Sequence, residues 1–352
     1  MKLEIRTLTL MLCAALTLTT ACKKTPIPTE DPQPSVVDFR ASSQATWVKS
    51  ASTTFSDYHS DFGVWGIARQ NNLIYNLWGN GSLMNVVKNA AGSYVPNEPA
   101  YWLNGYTYNF LAVAPHVDAG LSSIRVTTKE DQTASESPSD YMTYTYDMST
   151  NYASGNYTFD LLGAAAEQSV NTGGYNEPQQ LFFWHLLSKL SIKVIFVDAN
   201  GAEVTSNNNA VTNLSVSNVN PKGSFTLKYI KSAGSTGNLS VVTVADSQAQ
   251  SKTMEFDASS AKDENGRWNA HIIPQTISNF VIDIAYSVTG SDGKVTYYND
   301  SISLANSTPA TYDPNGQYNW TIKINPKGKI GLHVQIADWN EPEDGMNDFE
   351  IL

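Results

Sequence analysis

The stretch "FFWHLLSKLSIKVIF" (Phe182–Phe196) decides how the chain is read. From Leu190 the apolar residues Leu190, Ile192, Val194 and Phe196 alternate with the polar Ser191 and Lys193. A period of two turns the first set toward a core and the second toward water, so this half is a strand. Upstream, "FWHLLSK" has no clean period and reads as a bend or one helical turn. Its polar residues, His185 and Lys189, raise the question of an active site. A histidine on an apolar element is ordinarily a core residue bonded to a neighbouring carbonyl, and a lysine there snorkels its amine to solvent. No nucleophile or second titratable group stands near them in sequence, so no reaction can be written for the pair. Both are read as structural, and the protein as no enzyme.

Working outward, short apolar and aromatic runs recur along the chain. Among them are "FGVWGIA" (Phe62–Ala68), "YTYNFLAVA" (Tyr106–Ala114), "MTYTYDM" (Met142–Met148), "SFTLKYI" (Ser224–Ile230), "NFVIDIAYSV" (Asn279–Val288) and "YNWTIKI" (Tyr318–Ile324). Turn signals such as "NPKGS", "DENGR", "GSDGK" and "DPNGQ" separate them. Many short strands with few amphipathic helices predict an all-β sandwich architecture. The one helix candidate is "DLLGAAAEQ" (Asp160–Gln168), one or two turns long. Polar turn residues accumulate in "TGGYNEPQQ" (Thr172–Gln180), which predicts a boundary between domains at 37–176 and 177–352.

The length of 352 residues suffices for two ordinary domains with their own cores. Charged residues are 16% of the chain, below the roughly 25% of an average soluble protein, while aromatics reach 11%. Such a mix suits β-structure, where aromatic and β-branched side chains fit a pleated surface. The net charge of −11 and the absence of a basic run after Lys24 argue against a nucleic-acid partner, which requires clustered Lys and Arg.

At the N-terminus, Lys2 and Arg6 precede the apolar "TLTLMLCAALTL" (Thr7–Leu18). A run this short is the core of a signal peptide, residues 1–21, rather than a membrane span of about 20 residues. The following "LTTAC" resembles a bacterial lipobox, with Cys22 as the lipidated residue, although its leucine stands one place further from the cysteine than usual. The alternative makes Cys22 a residue beside an ordinary cleavage point. Residues 22–36 are proline-rich and read as an extended tether. Both cysteines, Cys13 and Cys22, lie in this leader region, so the body has no thiol for a disulfide, a metal or a nucleophile.

The five histidines (His59, His116, His185, His271 and His333) are scattered, and none has metal-ligand spacing. No nucleophile elbow, phosphate loop or dinucleotide fingerprint occurs, and no cofactor or metal is expected. The eight tryptophans and eighteen tyrosines either fill the core or form a sugar-stacking platform.

The opening stretch also carries a family resemblance. "FWHLLSKLSIKV" resembles the Phe/His/Ser-Lys-Leu element of the Bacteroidia-type fimbrillins, anchored pilus subunits of the FimA/Mfa type. "YWLNGYTYNFLAVAP" (Tyr101–Pro115), "FDLLGA" (Phe159–Ala164), "IIPQ" (Ile272–Gln275), "GQYNWTIKI" (Gly316–Ile324) and Trp339 are similar to further family segments in the same order. The resemblance implies two transthyretin-like β-sandwich domains in tandem, no enzymatic activity and export to the outer-membrane surface as a lipoprotein. It further implies that an Arg- or Lys-specific protease removes an N-terminal strand, and that a strand from another fimbrial subunit enters the emptied groove. The candidate cleavage points are Arg40 in "VVDFRASS" and Lys49 in "WVKSAS". The candidate donor is the tail "DGMNDFEIL" (Asp344–Leu352), where Phe349 and Ile351 share one face of an extended chain; completing its own sheet is the equal alternative. The expected partners are other fimbrial subunits, an unidentified surface receptor and, through the lipid, the membrane. A second class of function, a surface glycan-binding lipoprotein using exposed tryptophans, stays open.

Overall fold

The computed structural model describes residues 35–43, 59–71, 73–79, 83–116, 121–128, 140–171, 175, 177–204, 209–230, 238–305, 310–325, 330–338 and 347–351. The first strands are β1 (Phe39–Ser43), β2 (Asp61–Gln70), β3 (Leu73–Asn76), β4 (Met84–Lys88), β5 (Tyr94–Pro96), β6 (Thr107–Ala114), β7 (Leu121–Thr127) and β8 (Tyr141–Asp147). A short helix α1 (Ser149–Ala153) precedes β9 (Leu162–Ser169), β10 (Gln179–His185) and β11 (Ser188–Phe196). Then come β12 (Asn209–Val219), β13 (Lys222–Ile230), β14 (Asn238–Ala245), β15 (Lys252–Asp257), β16 (Trp268–Ile272) and β17 (Val281–Thr289). The last are β18 (Val295–Ser303), β19 (Gly316–Ile324), β20 (Ile330–Asp338) and β21 (Asn347–Ile351). The chain is all-β, as its alternating runs predict.

Among the described residues, strand pairing gives four sheets. The first has the order β3-β2-β4-β5-β1-β10-β9-β6, and a further β2–β6 pairing closes seven of these strands into a ring. The others are β14-β13-β8-β7, β15-β12-β17-β18 and β16-β11-β19-β20-β21. Pairing crosses position 176 in both directions. The strand after it, β10, lies in the ring, whereas β8 from before it pairs with β13 from well after it.

Two cores follow from this arrangement. Inside the ring, Phe62, Val64, Tyr108, Phe110, Ala112, Leu181 and Phe183 form one cluster. The alternate residues Trp65, Ile67, Leu111 and Val113 point outward into a second cluster, with Tyr144, Tyr146, Phe225 and Leu227. Both faces of β2 and β6 are therefore covered, and "FGVWGIA" reads as a continuous apolar run for that reason. The second cluster continues through Leu214, Trp268, Ile282 and Trp320 between the two C-terminal sheets.

Asp160–Gln168 is not helical. Its residues from Leu162 form β9, paired along its length with β6, and the only helix among the described residues is α1. Alanine favours helices by a few tenths of a kcal/mol per residue, and a central place between two strands outweighs that preference. The small side chains are needed there: a Cβ on Gly163 would stand 3.0 Å from Leu186 and 3.1 Å from Leu227. In the opening stretch the expected bend falls at Leu186–Leu187, between β10 and β11. Ser191 does not face water. It is buried and donates to Asn269 Oδ1 at 2.6 Å, because the segment before β16, with Asp263 bonded to Asn269 and Arg267 bonded to the Trp320 carbonyl, closes over that face.

Candidate functional site

The N-terminal strand is the most unusual element of the ring. It lies between β10 and β5, neither of which is near it in sequence. With β10 it runs parallel, from Phe39 opposite Gln179 to Ser43 opposite Phe183, and this is the one parallel pairing described in that sheet. With β5 it shares only the pair Phe39–Tyr94. Just before β1 the chain is held by Val37 N–H donating to the Ala100 carbonyl at 2.8 Å and Trp102 N–H donating to the Ser35 carbonyl at 2.9 Å.

The alternation of "VVDFR" decides what this strand fills. Val37 and Phe39 are fully buried, whereas Arg40 is exposed. The Phe39 ring meets Phe62 edge-on at 5.9 Å and Phe110 at 5.2 Å. Phe62 in turn contacts Phe183 at 5.1 Å and Tyr94 at 5.6 Å, and Trp102 stands 5.9 Å from Phe110. Lifting β1 away would open an aromatic-walled groove and leave unpaired backbone on β5 and β10. Such a groove selects an extended peptide with alternate apolar side chains. The segment "SVVDF" (Ser35–Phe39) is apolar and β-branched in sequence, but nothing local announces this wall, whose members come from β2, β5, β6, β10 and the segment before β6.

Arg40, a candidate cleavage point, extends a side chain that is 63% exposed and lies 3.9 Å from Glu177. Its backbone, however, is in register with Gln180. The Arg40–Ala41 bond therefore lies within the β1–β10 ladder. Asp38, on the solvent side of the strand, has its carboxyl pushed above the usual range by partial burial, with its own backbone hydrogen bond and then Arg40 opposing the rise. Lys49 and Cys22 lie outside the described residues.

At the other end of the chain, β21 is the edge strand of its own sheet. Phe349 is opposite Val334 and Ile351 opposite Leu332, an antiparallel register that continues the rows of Trp320 and Ile322 on β19. The two donor candidates thus stand in register with Val334 and Leu332 on a strand that, among the described residues, pairs with β20 alone.

His185 is a buried residue as expected, yet its partner is a carboxylate rather than a carbonyl. Its Nδ1–H donates to Asp160 Oδ2 at 2.8 Å, and both groups are buried. Two further histidines grip the same segment: His59 Nε2 bonds the Asp160 carbonyl at 3.1 Å, and His271 Nδ1 bonds the Phe159 carbonyl at 2.8 Å. Burial would raise the Asp160 pKa, but attraction and hydrogen bonding from His185, with help from His271 and His59, hold it below the usual carboxylate value. Burial lowers the pKa of His59, and that of His271 to about 4. Lys189 is half-buried and its pKa is lowered by desolvation, against the pull of Asp263 and Asp160. This cluster joins the ring, through β10 and the approach to β2, to the C-terminal sheet through β16. Histidines so far apart in sequence offered no signal of it. Among the described residues, no group of three His, Cys, Asp or Glu side chains is placed to hold a metal ion.

The tryptophans of the described residues line cores or lie half-buried: Trp65, Trp78, Trp102, Trp268 and Trp320 are buried, and Trp184 is half-buried. A stacking platform of exposed tryptophans is not present among them.

The model of the fimbrillin-like family matches residues 51–339, and the chain belongs to this family. It is a structural protein and not an enzyme. Among solved structures it is similar to a fimbrial protein from Bacteroides vulgatus at 14% identity, covering 87% of this chain and 99% of that one with a TM-score of 0.51. It is also similar to a candidate cell adhesion protein from Bacteroides uniformis, at 16% identity over 87% and 98% of the two chains, with a TM-score of 0.45. A fimbrial assembly protein from Parabacteroides distasonis matches at 11% identity over 90% and 99%, with a TM-score of 0.37. No curated protein sequence matches the chain.

Proposed function

We propose that the protein is a subunit or adhesin of a cell-surface fimbrium, in which β1 is a removable plug. The observation that carries this reading is the position of β1, parallel to β10 and inserted between two strands remote from it in sequence. In this account Cys22 carries the lipid that anchors the exported precursor to the outer membrane, and the proline-rich tether holds the body away from it. A surface protease cuts after Arg40 or Lys49, and the freed strand leaves the groove. A neighbouring subunit then supplies an extended strand whose apolar residues take the places of Val37 and Phe39. Belonging to the fimbrillin-like family supports assembly with other fimbrial subunits. The tail Asn347–Ile351 suits the donor role, because among the described residues it is paired along one side only, and it carries Phe349 and Ile351 at alternate positions.

The test is processing in cells. Arg40→Ala with Lys49→Ala should leave the subunit at full length and unassembled, read as one precursor band and the loss of surface polymer. Normal trimming and normal polymer in the double variant would exclude both cleavage points.

A further inference from the structure

We infer that β14 is a second assembly edge, at which two copies of this chain pair antiparallel across a twofold axis. The strand "NLSVVTVA" (Asn238–Ala245) ends the sheet β14-β13-β8-β7, and among the described residues no strand lies beyond it. It pairs with β13 over its full length, from Gly223 opposite Ala245 to Ile230 opposite Asn238, without a bulge. It contains no charge and no proline. Natural edges are ordinarily blunted by such devices, and the other edges of this molecule have them. β3 has four residues, β7 has a register shift and Arg125, β15 carries Lys252, Glu255 and Asp257, β16 is covered by the Tyr157 carbonyl, which accepts from His271 N–H, β18 carries Asp300, and β21 carries Asp348 and Glu350.

The side chains on the outer face of β14 agree. Val242 is 56% exposed and Val244 63%, while Leu239, Val241 and Ala245 pack against the core behind them. Next to these valines that face is hydroxylated, with Thr226 bonded to Thr143 and Ser224 to Thr145, and its charges, Lys228 and Arg125, lie on neighbouring strands rather than on β14. An unpaired ladder edge selects an extended main chain. Three features select a second copy of the same strand. Antiparallel pairing with Val242 on the axis sets Val242 against Val242 and Val244 against Ser240, so every outer pair is uncharged. The charges at its ends are engaged within each copy, Asp246 with Lys222 at 3.5 Å and Lys228 over the Tyr141 ring, so neither end sets an unmatched charge against the pairing. With a net charge of −11, two copies repel over most of their surface, and this charge-free edge is where they can approach.

Such a contact is lateral and needs no removal of β1, so the uncut chain tests it independently of the strand-exchange reading. Sedimentation of the full chain should show a concentration-dependent dimer that Val242→Lys abolishes while its melting temperature stays unchanged. A disulfide trap gives the second readout. In a full chain with Cys13→Ser and Cys22→Ser, Val242→Cys should yield an oxidised dimer on a non-reducing gel, whereas Val295→Cys, an exposed apolar position on β18, should not. A wild-type chain that stays monomeric, a dimer that survives Val242→Lys, or equal cross-linking at Val242 and Val295 would overturn the inference.

Discussion

Phe39→Ala is expected to destabilise the uncut protein by about 3–5 kcal/mol, the range for deleting a fully buried aromatic ring whose surroundings cannot collapse. The ring is fully buried, and Phe62 and Phe110 meet it edge-on. Those neighbours sit on β2 and β6, ring strands fixed by pairing on both sides, so the cavity would persist. Arg40→Ala, one residue away, should cost less than about 1 kcal/mol, since its partner Glu177 is exposed and such pairs contribute little. Urea unfolding of the two variants separates a strand that fills the core from one that lies on it. The Phe39 variant should also be cut faster by trypsin, because a loosened β1 presents Arg40 in extended form. A loss under about 1 kcal/mol for Phe39→Ala would mean that β1 does not fill the groove.

The second large effect lies at the junction of the ring with the C-terminal sheet. His185→Ala removes the partner of a buried carboxylate, and breaking a buried pair in this way costs about 3–5 kcal/mol. The dependence on pH should change with it. In the wild-type protein, burial holds His271 at about 4 and keeps His59 below its ordinary value. A histidine whose folded pKa is depressed binds its proton more readily when unfolded. The stability it confers is therefore complete above about 6.5 and lost as pH falls toward 4. For His271 that loss amounts to about 2 kcal/mol by pH 5. In His185→Ala, desolvation dominates at Asp160 and pushes its pKa upward, so protonation relieves the buried charge. That component runs the other way, stabilising the variant as pH falls. Melting curves from pH 7 to pH 4 should thus be steeper for the wild type than for the variant. Parallel curves, with the variant lowered by less than about 1 kcal/mol, would show that the pair does not hold this junction.

How much of this is legible in the sequence depends on where each residue's partners are. Leu190–Phe196 reads as a strand directly, because a side chain's face repeats every second residue and its alternate residues are apolar. The alanine-rich β9 does not, since its small residues have no period and their purpose, the close approach of Leu186 and Leu227 to Gly163, is set by remote segments. Ser191 reads as solvent-facing because nothing local reveals the cover over that face. The apolar, β-branched and aromatic character of "SVVDF" is readable. That it runs parallel to β10, in a ring closed by β2 and β6, is not readable, because both facts are properties of long-range pairing. The His59–His185–His271 grip on Phe159–Asp160 is invisible for the same reason.

The most direct measurement of the central claim is the assembly state of a chain that begins at Ala41, compared with the full chain on native gels and by electron microscopy. The account predicts that the shortened chain, lacking Val37 and Phe39, forms ladders and filaments by taking up a strand from its neighbour, while the uncut chain does not form them. A shortened chain that forms no species beyond those of the full chain and melts at the same temperature would contradict it.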